Sequence, residues 1–159
     1  MSFCAKKAIF VAKPTEMYEY TEVAPFKYAV SIDNHEEIVS ALMAFCKDNE
    51  IYAGCISGIG AVNEATFRFL DPNTLKYVDK TFTEQMEITN LIGNISIKDG
   101  EPYLHIHITA SRSDYSCIGG HLLSARINGA CELIVEDFFD GYIGREQDPQ
   151  TGLNMFKFQ

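Results

Sequence analysis

Three of the four histidines in this chain, His105, His107 and His121, fall within seventeen residues. Imidazole titrates near neutrality and is the commonest transition-metal ligand, so this cluster is where chemistry is expected. Tyr103, His105, His107 and Thr109 alternate with Leu104, Ile106, Ile108 and Ala110. That period of two predicts a half-buried strand with both rings on its polar face. Positions i and i+2 of a strand lie roughly 7 Å apart, which lets two rings converge on one ion. His121, directly after Gly119-Gly120, is the candidate third donor. Spacing alone leaves two readings open: a metal-ligand set, or a polar ladder on a sheet face with His121 capping a loop. As ligands, three neutral imidazoles suit zinc and leave its fourth position to water or substrate, and such a site can lower the pKa of bound water to about 7.

The histidine strand needs a partner to hold it. Lys98-Asp99-Gly100-Glu101 reads as a hairpin, because Asp-Gly supplies the positive φ angles of a two-residue type I′ turn. If Lys98 faces Glu101, then Ile97, Ile95, Gly93 and Leu91 lie across from Pro102, Leu104, Ile106 and Ile108. Ser96, Asn94, Ile92 and Asn90 then lie across from Tyr103, His105, His107 and Thr109. One face is nearly all apolar, and a one-residue slip would turn it to the wrong side. Tyr103 and Asn94 become candidates to hydrogen-bond the ligating rings from behind. The alternation changes phase near Thr89-Asn90, which predicts a bulge. The register puts Glu87, a weak catalytic candidate, on the face opposite the histidines unless that bulge reverses it.

Elsewhere the elements are read more coarsely. Residues 1–25 form an arm holding at most one edge strand, 26–140 the domain, and 141–159 a tail packed on the domain or on a neighbouring subunit. Phe26 to Ile32 reads as a strand. Asn34 is the expected helix N-cap, with Glu36 and Glu37 in the first turn, and Ile38, Ala41, Leu42, Phe45 and Cys46 recur at helical spacing. Ile51 to Ser57 predicts a buried strand and Gly58-Ile59-Gly60 a tight turn into a strand from Ala61 to Leu70. These glycines lack the remaining glycines and the Lys-Ser or Lys-Thr of a phosphate loop, so close backbone packing is the better reading. Lys76 to Phe82, Glu84 to Ile97, Tyr115 to Ser124 and Ala130 to Phe138 complete the expected strands. Arg68 is placed on a solvated or interfacial face and His35 in solvent. Phe156 and Phe158 are expected to be tied down. The whole is an α+β domain on a mostly antiparallel sheet with few flanking helices.

At 159 residues and 47% hydrophobic content the chain suits one domain with its own core. Five cysteines (Cys4, Cys46, Cys55, Cys117, Cys131) with no C-x-x-C spacing, inside otherwise apolar segments, read as reduced core residues of a cytoplasmic protein. The longest early apolar run, Ala8 to Ala12, is too short for a signal-peptide core or a membrane span. A net charge of −9 with scattered basic residues offers no stripe to neutralise phosphates.

Taken together, Gly58-Ile-Gly-Ala-Val62, the strand around Glu87-Ile88, Asp99-Gly100, His105-Ile-His107 and Gly119-Gly-His-Leu122 resemble the PPC domain, the plants-and-prokaryotes conserved domain, over roughly residues 26–140. The resemblance is to its stand-alone prokaryotic type. It implies a homotrimer, and His105, His107 and His121 match the three histidines that hold zinc in prokaryotic relatives. A cupin would instead want a carboxylate soon after His-x-His, where this chain has Ala110, Ser111 and Arg112. The resemblance also implies a DNA-binding label, carried in plant members by an Arg-Gly-Arg hook that this chain lacks. Two functions are therefore expected. The first is a metal-dependent trimer that binds, and in one version transforms, a small molecule. The alternative is a DNA-associated regulatory module with a structural metal.

Overall fold

The structure, a computed structural model, describes residues 17–158. Most of the expected N-terminal arm and Cys4 lie outside the described residues. The order is β1 (Tyr18–Ala24), β2 (Lys27–Ile32), α1 (Ile38–Asp48), β3 (Gly54–Asp71), β4 (Lys76–Phe82), β5 (Met86–Lys98), β6 (Glu101–Ser111), β7 (Cys117–Asp137), β8 (Gly144–Gln147) and β9 (Asn154–Lys157). One sheet runs β1-β2-β7-β3-β5-β8-β9, with β4 on β3 and β6 bridging β5 and β7. Every pairing is antiparallel except the single contact of Ile97 in β5 with Gly144 in β8. This is the expected α+β architecture. Because β6 joins β5 to the start of β7, and β7 runs along β3, the ladders β3–β5–β6–β7–β3 close on themselves.

The helix places its apolar stripe as its periodicity predicts, with Ile38, Ala41, Leu42, Phe45 and Cys46 buried. Its start differs. Glu37, rather than Asn34, is the N-cap: its carboxylate accepts hydrogen bonds from Val39 N at 2.9 Å and Ser40 N at 2.8 Å. The same carboxylate accepts Ala125 N of β7 at 3.1 Å, and Glu37 bridges to Arg126, so pairing with β7 keeps the chain extended up to Ile38. Asn34 instead accepts Gly129 N at 2.9 Å. His35 is exposed, as expected.

Two expected breaks are absent. Gly54–Asp71 is one strand of 18 residues, and Gly58-Ile59-Gly60 lies inside it at register shifts rather than at a turn. The glycines serve close packing: a Cβ on Gly60 would stand 2.8 Å from the Ala130 carbonyl oxygen of β7. Likewise the two segments expected between Tyr115 and Phe138 are one 21-residue strand, which bends through bulges against β3 instead of stopping.

Cys46 and Cys131 are buried, and burial pushes both thiols up to about 12, so they act as small apolar residues. Cys117 is exposed at the start of β7, against the core reading. Phe156 packs on Arg145, but Phe158 is 84% exposed, so only one of the two terminal aromatics is tied down. Among the described residues, no helix is long and apolar enough to cross a membrane.

Candidate metal centre

The site begins at the β5–β6 turn, where Asp99 (φ +54°) and Gly100 (φ +84°) both adopt the left-handed region that a type I′ turn demands. Lys98 pairs with Glu101, and every pair from Ile97–Pro102 to Asn90–Thr109 occurs as the alternation predicts. The phase change is a register shift between Ile88 and Asn90. Leu91, Ile95, Ile106 and Ile108 are buried on the core face, which turns His105 and His107 outward.

The third ring arrives by strand pairing. β7 joins the far edge of β6 with Gly119 opposite Thr109, Gly120 opposite Ile108 and His121 directly opposite His107. A Cβ on Gly119 would stand 2.6 Å from the Ile108 carbonyl oxygen. Glycine there is what permits the pairing that delivers His121.

The three rings converge. Their centroids are 5.0 to 5.4 Å apart, and one ligand atom from each lies within 4.8 Å of the others. His105 Nε2 and His107 Nε2 are 3.2 Å apart. Two nitrogens on one tetrahedral zinc, each about 2.0–2.1 Å from the ion, would be about 3.3 Å apart, so this spacing fits a shared ion. Burial pushes the His121 imidazole down to about 4, helped by His105, His107 and Arg68 and opposed by Asp79. Burial, then His107 and Arg145, likewise lowers His105. Both rings therefore stay neutral at pH 7 and keep a lone pair for a metal. The donor set, three imidazoles and no carboxylate, fits zinc with an open position.

Around the cluster the expected partners behave differently. Asn94 faces His105 across the hairpin, yet its Oδ1 accepts Arg145 Nη2 at 2.6 Å. The Tyr103 hydroxyl meets Asn154 Nδ2 at 3.3 Å. Both supposed ring partners are thus engaged with β8 and β9. The bulge does bring Glu87 to the outward face, correcting the expected register. Glu87 pairs with Ser111, however, four residues beyond His107 on β6, or about 13 Å at the rise of a strand, and stays outside the cluster. On the other flank Arg68, opposite His121, is held by Asp79 through bonds of 2.8 and 2.7 Å.

Arg145 escaped the sequence reading. Nothing local marks an arginine between Gly144 and Glu146 in a turn-rich tail. It reaches the site only because β8 docks beside Ile97.

The model of the Plants and Prokaryotes Conserved (PCC) domain, the PPC domain above, matches residues 21–139. The chain belongs to this family. A crystallised PCC-fold neighbour from Bacteroides thetaiotaomicron, provisionally described as DNA-binding, is 56% identical, with a TM-score of 0.86 over 89% of this chain and 98% of its own. The metal-containing protein AF0104 from Archaeoglobus fulgidus is 34% identical, with a TM-score of 0.79 over 89% and 98% of the two chains. A PPC protein from Pyrococcus horikoshii, at 24% identity, shares the fold with a TM-score of 0.78 over 92% and 99%. No curated protein matches the chain.

Proposed function

We propose that this PCC-domain protein is a cytoplasmic homotrimer that binds one divalent transition metal, zinc, through His105, His107 and His121, and presents it to a small molecule. The convergence of three imidazoles on one point carries the reading, and the Archaeoglobus protein, described as metal-containing, supports it. When bound, zinc supplies a Lewis acid that polarises a carbonyl or bound water, the property a transformation of the ligand would draw on. The number three comes from the family resemblance, and the exposed apolar surface supports association: Ile59 and Ile134 are 56% and 46% exposed along a groove that also includes Leu133. Native mass spectrometry of untagged protein should give three times 17.8 kDa, plus one metal per chain and any retained ligand. A monomer at micromolar concentration would refute the trimer.

The second reading, a DNA-associated module, rests on the description of the Bacteroides neighbour. This chain's own charges oppose it. Six of the ten described basic residues, Lys27, Lys47, Arg68, Lys98, Arg112 and Lys157, each face a carboxylate, which takes most of the positive charge away from phosphate contacts. Each phosphate neutralised by a protein adds about 0.9 to the slope of log affinity against log salt. An anisotropy titration near physiological salt with mixed and AT-rich duplexes is expected to show no saturable sub-micromolar binding. Tight binding that weakens as salt rises would make the regulatory reading the leading one.

A further inference from the structure

The guanidinium of Arg145 occupies the outward sheet face beside His105. It donates from Nε to Ser96 Oγ at 2.7 Å, from Nη1 to the Asn154 carbonyl at 2.6 Å and from Nη2 to Asn94 Oδ1 at 2.6 Å. Asn94 is the cross-strand partner of His105, and Tyr103 precedes His105 by two residues on the same face. The cation lies 4.7 Å from the Tyr103 ring centroid and 4.4 Å from that of Phe156. All of these partners are neutral. Among the described residues no carboxylate pairs with Arg145; of the other nine described cations six have one, and the remaining three, Lys76, Lys80 and Arg126, are exposed to water, whereas Arg145 is partly buried.

A tether for the C-terminal hairpin would not need a full charge, and a partly buried cation without a counter-ion is costly. Guanidinium has five N–H groups. Three are used, and one on each Nη is left over. The histidine set has the same imbalance. A divalent ion on three neutral imidazoles keeps both its charges, and the nearby Asp79 is already held by Arg68. Metal and arginine together present positive charge that no side chain of the cluster offsets, so the ligand must supply the anion.

Resting on the metal reading above, we infer that Arg145 and the histidine-bound metal form a two-part subsite for a small organic acid, with the carboxylate held by Arg145 and a second oxygen donor directed to the metal. Guanidinium is suited to this because its planar fork matches carboxylate geometry and stays charged at any physiological pH.

The test uses full-length zinc-loaded protein and calorimetric titration with L-lactate, pyruvate and the uncharged L-lactamide. Lactate or pyruvate should saturate the protein and bind at least about tenfold more tightly than lactamide, the scale of one lost charge-assisted hydrogen bond. Arg145→Gln should erase that preference while zinc content stays at the wild-type level, and Arg145→Lys should restore only part of it. Equal binding of lactate and lactamide overturns the inference without needing any variant to fold. Unchanged preference in Arg145→Gln, or no saturation by either acid, overturns it as well. If wild-type protein takes up no zinc, the metal reading fails on its own account. The same titration of metal-free protein then decides the anion subsite: an Arg145-dependent preference for lactate supports it, and equality with lactamide overturns it.

Discussion

His107→Ala is expected to abolish zinc uptake while leaving the fold intact. His107 is exposed on β6, and its ring meets His105 and His121 at centroid distances of 5.1 and 5.4 Å. Removing an exposed side chain normally changes stability by no more than about 0.5 kcal/mol, so lost metal will not be a by-product of unfolding. Deleting a residue that merely supports a ligand lowers metal affinity about 10–100-fold, and deleting one of three ligands should exceed that. Elemental analysis after dialysis against a chelator should find near one zinc per wild-type chain and a background level in the variant. His35→Ala, exposed and remote from the cluster, should keep full content. Zinc retained at the wild-type level by His107→Ala would sink the assignment.

Phe45→Ala should be the most destabilising single truncation among those considered. Phe45 is fully buried, and its ring meets Tyr20, Tyr18 and Tyr28 edge-on at 5.1, 5.5 and 5.6 Å, tying the helix to β1 and β2. Truncating a buried phenylalanine costs about 3–5 kcal/mol, from lost transfer energy and the cavity left behind. Urea unfolding should show the unfolding free energy lowered by that amount, seen as a lower midpoint at an unchanged slope. Phe158→Ala, at an exposed ring, should stay within about 0.5 kcal/mol of wild type. A loss below about 1 kcal/mol in Phe45→Ala would mean that β1 and α1 are not part of the cooperative unit.

The same two regions divide what was legible from what was not. Register in the β5–β6 hairpin was readable pair by pair, because two alternations and an Asp-Gly turn all constrain one local ladder. Even the bulge before Asn90 left its mark as a change of phase. The helix face was readable from spacing, but its first residue was not: Glu37 is the cap because β7 offers it Ala125 N, a partner 88 residues away. Glycines at 58 and 60 looked like a turn when read along the chain. They are packing sites because β7 crosses there, and a glycine's meaning depends on which backbone approaches it.

By itself, then, the sequence determined the hairpin, the helical stripe, the family pattern and the outward direction of His105 and His107, since each rests on a periodicity held within one or two neighbouring segments. Tertiary structure decided that His121 stands opposite His107 and that Arg145 closes the flank beside His105. Those placements come from ladders between distant segments, β6 with β7 and β5 with β8. Their hydrogen bonds and packing exist only once the sheet has closed, so no local pattern records them.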